Sequence, residues 1–320
     1  MSTLRVYACG GTGINIASKW IATGANTLIR KAQFIGLDSS ENNKPYNDAF
    51  KVERPEGTRG GGKERKLIGK IAAGFIDSIL TKHKPGDFNL IIMNAAGATG
   101  STFGPTLINR LLTQGVPVIA LVVGDLTSEL ENYNTVKTFE SLDNQRINLN
   151  VPVIIDYVDN AKYPSRGLAD KYAIGRLDIL SLFLTDEHEE SDFQDIRNLF
   201  YYNQVTKAAP TLARIDFLTD TQLDNVTPGL VAEFGLYRKA DDIGSHIKNL
   251  AYRSTGVIQE GSTNFPAGIE HLHMVFDHDA TIKDILVLVQ DLKDIEIQNN
   301  ERFKSAQQVG NGGDDSGMSY

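Results

Sequence analysis

Residues 94–105 read NAAGATGSTFGP and follow the apolar run DFNLIIM. Gly97, Ala98 and Gly100 let a backbone pass close to a ligand, while Thr99, Ser101 and Thr102 add hydroxyls without bulk. A phosphate group needs that combination. Two more glycine-rich segments repeat it. One holds Gly10, Gly11, Thr12 and Gly13, with Asn15 just beyond. The other is GTRGGGK at 57–63, which contains Gly60, Gly61 and Gly62. Each is expected near a helix start, where free N–H groups and the helix dipole favour anions. Any one of these loops is consistent with an ordinary tight turn. All three together suit a triphosphate.

Two other nucleotide motifs are close but incomplete. Gly11, Thr12 and Gly13 after a first strand, with Asp38 ending a second, approach a dinucleotide fingerprint in which the acid would hold a ribose hydroxyl. Ile16, however, stands where close helix packing wants the third glycine, which leaves an NAD(P)-dependent oxidoreductase as the alternative reading. GTRGGGK has the Walker spacing, but Glu64 occupies the magnesium-binding Ser/Thr position and KVERPEG is a poor buried strand. His271 and His273, followed by Asp277, His278 and Asp279, could make a metal site. A polar strand face opposite Leu272, Met274 and Phe276 is the expected reading. His188 sits in an acidic loop and is read as solvated charge.

The elements that must position the loops follow from periodicity. A strand at 4–9 leads through the first glycine turn into a helix with Ile14, Ala17, Trp20 and Ile21 on one face. A second strand ends at Asp38, and a helix spans 67–80. The strand before Asn94 is the third. A proline-opened helix at 105–112, a strand at 115–125, a helix at 135–142 and a strand at 151–158 complete the series. Such alternation predicts an α/β fold with a parallel sheet and ligands at the carboxyl ends of its strands. Residues 167–184 form a helix whose second half has almost no polar face, so it must be buried. Beyond about 206, GLVAEFGLY, a helix at 241–252 and GIEHLHMVF suggest a smaller α+β domain. A last helix carries Ile282, Ile285, Leu286, Val289 and Leu292, and the tail beyond it is expected to be disordered. Trp20 and Phe34 are expected in the core.

The chain has 320 residues, 41% of them hydrophobic, and a formal net charge of −8. It can bury a sizeable core, and a clustered basic surface for nucleic acid is not expected. No long apolar run or charged leader is present, so membrane association is not expected and the cytoplasm is the predicted location. Cys9, the single cysteine, reads as a buried filler.

Taken in order, these loops resemble the tubulin/FtsZ superfamily of polymerising GTPases. Ala96 to Thr102 is similar to its GGGTG[ST]G signature, with two glycines replaced by alanine and the last by threonine. Gly10 to Asn15 matches the first loop of the family, Asp38-Ser39-Ser40 the second, and residues 57–62 the third. Glu131-Asn132-Tyr133-Asn134 looks like the tubulin segment whose glutamate contacts the ribose. GPTLINRLL after the signature and the short length are most like the phage-encoded tubulins (PhuZ group).

The resemblance implies a Rossmann-like GTPase domain at 1–165, a central helix and catalytic loop at 166–205, an α+β domain at 206–280, and a C-terminal helix and acidic tail at 281–320. It implies GTP or GDP and Mg²⁺ as cofactors. Asp170 stands where the family reads guanine, usually with asparagine, and a carboxylate there can accept from both N1–H and the exocyclic amine. DFQDIR is similar to the FtsZ segment DFADVR, which implies that Asp192 and Asp195 activate a hydrolytic water. Their plain reading is a helix cap. A helix of roughly 18 residues is about 27 Å long, so it would carry these acids away from their own nucleotide and toward that of a subunit stacked head to tail. Glu190, where FtsZ has asparagine, adds charge there. The resemblance further implies a self-assembling filament, a tail that docks on the neighbouring subunit, and a role in positioning phage DNA or its compartment. A structural filament protein without turnover is a further alternative.

Overall fold

The computed structural model describes residues 3–24, 32–125, 128–185, 188–225, 229–244, 247–259, 265–277 and Val287. Apart from Val287, the expected last helix and the tail, like His278 and Asp279, lie outside them.

In chain order the elements are β1 (Leu4–Cys9), α1 (Gly10–Thr23), β2 (Ala32–Leu37), β3 (Val52–Glu53), α2 (Arg65–Lys82), β4 (Phe88–Asn94), α3 (Gly100–Thr113), β5 (Val118–Gly124), α4 (Glu129–Leu149), β6 (Val153–Asp159) and α5 (Arg166–Leu184). They are followed by β7 (His188–Glu189), α6 (Phe193–Phe200), α7 (Tyr202–Val205), β8 (Leu212–Thr219), β9 (Leu230–Tyr237), β10 (Tyr252–Ile258) and β11 (His271–Asp277). The sheet order is β3-β2-β1-β4-β5-β6-β8-β11-β9-β10-β7. Strands from β3 to β8 pair in parallel, and β11 is antiparallel to both β8 and β9.

Parallel central strands are covered on both faces, which is why β4 and β5 are apolar without alternation. α2, α3 and α4 pack side by side, whereas α1 packs against α5. The chain moves one way from β1 to β2 and the other way from β4 to β6, so right-handed crossovers put α1 on the face opposite α3 and α4. That reversal opens a crevice at the carboxyl ends of β1 and β4. Gly13 is needed there: a Cβ at this position would lie 2.3 Å from the Ile92 carbonyl oxygen.

Several expected elements differ. α3 begins at Gly100, and Pro105 lies inside it. The interior proline is tolerated because the Ser101 carbonyl, which residue 105 cannot reach, accepts a hydrogen bond from Arg65 at 3.0 Å. α4 is far longer than 135–142 because Ser128 caps it, accepting from the Glu131 N–H. The described residues of 241–252 do not form the expected helix. A 3-10 turn at Ala240–Asp242 and left-handed Asn249 break it, and Tyr252 onward pairs with β9. β3, β7, β8 and β10 were not foreseen.

His188 is half-buried on β7 and meets Phe234 edge to face, not solvated as expected. His273 is fully buried, with Nδ1 on Glu233 and Nε2 at 2.7 Å from His271 Nδ1. Arg253 Nε stands 3.3 Å from the same Glu233. This network ties β9, β10 and β11 together instead of forming a solvated polar face. Trp20 is buried and meets Phe34 edge to face. Cys9 is buried and its thiol is pushed up by that burial, which suits a filler.

Candidate functional site

At the crevice lies a cavity of about 390 Å³, lined by Gly11, Thr12, Asn15, Lys63, Asn94, Ala96, Gly97, Asp125, Glu131, Asn160, Arg166 and Asp170. Its size falls within the range of small-molecule sites. Gly11, Thr12, Asn15, Gly97, Glu131 and Asp170 were expected from sequence. The remaining members of the expected set stand behind this lining.

Gly10 packs against Gly100 and Thr99. Thr99 Oγ1 meets Ser39 Oγ at 2.7 Å, and the buried Ser101 hydroxyl donates to the Gly97 and Ala98 carbonyls. Gly60, at φ +103°, donates its N–H to Ser39 at 2.7 Å, Gly61 packs against Ala98, and left-handed Gly62 leads into Lys63. Asn134 Nδ2 donates to the carbonyls of Lys63 at 3.1 Å and Ala96 at 2.9 Å, fastening the second glycine loop to the third. Asp38 is buried and accepts from the Ser40 N–H and from Asn43 Nδ2. It does not line the cavity, so the dinucleotide reading lacks its ribose acid.

Lys63, Asn94, Asp125, Asn160 and Arg166 were missed. Asn94 ends β4, while Asp125 and Asn160 follow β5 and β6 directly, so the rule that ligands sit at strand carboxyl ends would have found them. Arg166 stands one helical turn before Asp170 on the same face of α5. Asn94 Oδ1 accepts from the N–H groups of Ala96 at 2.6 Å and Gly97 at 3.1 Å, and its Nδ2 donates to Thr12 Oγ1 at 3.1 Å. One side chain thereby holds two phosphate-type turns together.

Charge in the cavity is divided. Asp170 accepts from Asn15 Nδ2 at 2.7 Å and pairs with Lys19 at 3.0 Å. Glu131 accepts from the Ser128 hydroxyl at 2.5 Å and pairs with Lys63 at 2.9 Å, with Arg166 at 3.7 Å. The Ser128 hydrogen bond, then Lys63, holds its carboxyl below the usual range. At one end lie backbone groups and the Thr12 hydroxyl, and at the other the paired polar side chains of Asn15 and Asp170.

No protein-family model matches the chain. It is 27% identical over 238 residues, 74% of this chain and 73% of the relative, to a phage tubulin-like protein of Pseudomonas phage PhiPA3. A phage tubulin-like protein of Pseudomonas phage phiKZ is 24% identical over 307 residues, 91% and 89% of the two chains. Among solved structures, the phage tubulin PhuZ with GDP superposes with a TM-score of 0.79 at 18% identity, covering 99% of this chain and 95% of that one. The TubZ protofilament of bacteriophage PhiKZ gives 0.77 at 22% identity with the same coverage. These likenesses support the resemblance of the chain to the phage-tubulin group of the tubulin/FtsZ superfamily.

Asp192 and Asp195 stand well away from the cavity. Asp192 caps α6, accepting from the Asp195 N–H at 2.9 Å, and Asp195 accepts in return from the Asp192 N–H at 3.2 Å. Phe193 packs on Phe88, the first residue of β4, and Tyr201 donates to the carbonyl of Val116, before β5. α6 therefore lies at the amino ends of the strands whose carboxyl ends border the cavity. Exposed Glu190 adopts φ +70°, a left-handed conformation that suits asparagine better than glutamate.

Proposed function

We propose that this protein is a GTPase that polymerises head to tail and hydrolyses GTP where one subunit meets the next. One observation carries the reading. Asn94 at one end of β4 lines the cavity, whereas Phe88 at the other end touches Phe193 beside Asp192; about 20 Å of strand separates them. Asp192 and Asp195 cannot serve the nucleotide of their own chain. In a head-to-tail contact they face the terminal phosphate of the neighbour, and a heterologous contact that does not close builds a filament. There they position water in trans.

In this reading Gly11, Thr12 and the turn from Ala96 to Ser101 hold the phosphates, Glu131 meets the ribose, and Asn15 with Asp170 reads guanine. No group of three or more His, Cys, Asp or Glu side chains converges as a metal site among the described residues. A donor set with so few convergent protein ligands fits Mg²⁺ held mainly by phosphate oxygens and water; its chemistry is to neutralise charge on the transferring phosphate. Residues 1–165 act as the nucleotide domain, 166–205 as the connector bearing the catalytic pair, and 206–280 as the domain behind it.

The phage origin of the relatives supports a filament that works in the cytoplasm of an infected bacterium, with phage DNA or its compartment as cargo. No helix among the described residues is long and apolar enough to cross a membrane. The tail, outside the described residues, docks on the next subunit, so removing residues 308–320 raises the critical concentration for assembly.

The test is phosphate release from GTP per molecule over a range of protein concentrations, for the parent and for Asp195→Asn, which keeps the capping hydrogen bond. A specific rate that climbs above a threshold in the parent and is lost in the variant is expected. A rate independent of concentration would exclude catalysis between subunits.

A further inference from the structure

Lys63, the last residue of the GTRGGGK segment, reaches the cavity. Lys63 lies in the left-handed region at φ +66°. A non-glycine residue there is strained, and such strain persists where the surroundings fix it. Asn134 fixes it, by gripping the Lys63 carbonyl and the Ala96 carbonyl with one amide. The backbone of Lys63 is thereby clamped to the turn expected to carry the phosphates. Its side chain is half-exposed, with Nζ on Glu131 at 2.9 Å.

The charged residues that line the cavity are Asp125, Glu131, Asp170, Lys63 and Arg166. Carboxylates outnumber cations, and a nucleoside triphosphate brings more negative charge. Arg166 stands one turn before Asp170 and approaches the same Glu131 oxygen at 3.7 Å. Lys63 is the cation whose backbone is clamped to the phosphate turn, and its present partner is the acid assigned to the ribose.

We propose that Lys63 reads the terminal phosphate of a bound nucleoside triphosphate, exchanging Glu131 for a γ-phosphate oxygen and so releasing Glu131 to the ribose. The inference rests on the guanine-nucleotide reading of the cavity. A flexible lysine stem suits such an exchange, because it acts as a point charge without fixed bidentate geometry. A diphosphate lacks the group that draws Lys63 away, so the lysine distinguishes the two nucleotide states.

The experiment is equilibrium binding of GDP and of guanosine 5′-[β,γ-imido]triphosphate, with Mg²⁺, at protein concentrations below assembly. The parent is compared with Lys63→Met and Lys63→Arg. Expected is a loss of about tenfold or more in triphosphate affinity for Lys63→Met, GDP affinity within about twofold of the parent, and recovery in Lys63→Arg. Unchanged GDP affinity also reports an intact fold. Equal loss for both nucleotides at a parental unfolding temperature, or no loss for either, overturns the proposal. Should Lys63→Met unfold, Lys63→Gln takes its place under the same criteria. A parent that binds neither nucleotide overturns the reading of the cavity and this inference with it.

Discussion

The Arg65 guanidinium donates at 3.0 Å to the carbonyl of Ser101, the oxygen left without its helical N–H by Pro105. Arg65 also reaches the Asn134 carbonyl at 3.3 Å, so one side chain joins α2, α3 and α4 behind the phosphate turn. Burial lowers its pKa, yet it remains charged at neutral pH. Arg65→Met leaves the buried Ser101 carbonyl unsatisfied and is expected to cost about 1–3 kcal/mol by denaturant unfolding. Adding Pro105→Ala restores an N–H and should recover part of that loss.

In the proposed reading Asp170 governs base choice. A charged acceptor is worth about 1.5–3 kcal/mol per hydrogen bond. Asp170→Ala should therefore weaken GDP binding about ten- to a hundredfold, with a smaller effect on IDP, which lacks the exocyclic amine. Titration of both nucleotides checks this. Equal losses would mean that Asp170 does not contact the amine.

Glu53 on β3 pairs with Lys82 at 2.6 Å, Lys51 at 2.9 Å and His83 at 3.2 Å. Burial opposes its charge, but Lys82, Lys51 and His83 hold the carboxyl at about 2, below its ordinary 4.5. A depressed folded-state pKa gives stability that is present above pH 4.5 and lost as the pH falls toward 2. The unfolding temperature of Glu53→Gln should lie below that of the parent at pH 6, and the difference should close between pH 4.5 and 2.

Arg176 anchors the long helix. Its Nε donates to both Asp156 oxygens, at 2.6 and 2.7 Å, and its Nη2 to the Ile215 carbonyl at 2.8 Å, joining α5 to β6 and β8. Arg176→Met strands a buried carboxylate and should cost about 3–5 kcal/mol in equilibrium unfolding. Arg176→Met with Asp156→Leu should be milder than Arg176→Met alone.

Legibility in the sequence followed the range of the interaction. β1, β4 and the buried half of α5 were plain because continuous apolar runs mark elements covered on every side. Gly11, Thr12 and Gly97 were plain because their spacing from a strand places them at its end, whereas Asp170 came only from the family resemblance. α3 was misjudged because Pro105 reads locally as a helix start, and only Arg65, 36 residues away from Ser101, makes it an interior residue. The helix expected at 241–252 failed for a similar reason, since its last residues pair with β9.

The sequence by itself determined the alternating α/β order, the glycine-rich turns and the amphipathic or buried character of each helix, all consequences of contacts between near neighbours and of burial. Tertiary structure alone decided that Lys63 belongs to the cavity and that Asp38 does not. Each of those outcomes depends on which strands lie side by side, and that is settled by packing between segments remote in the chain.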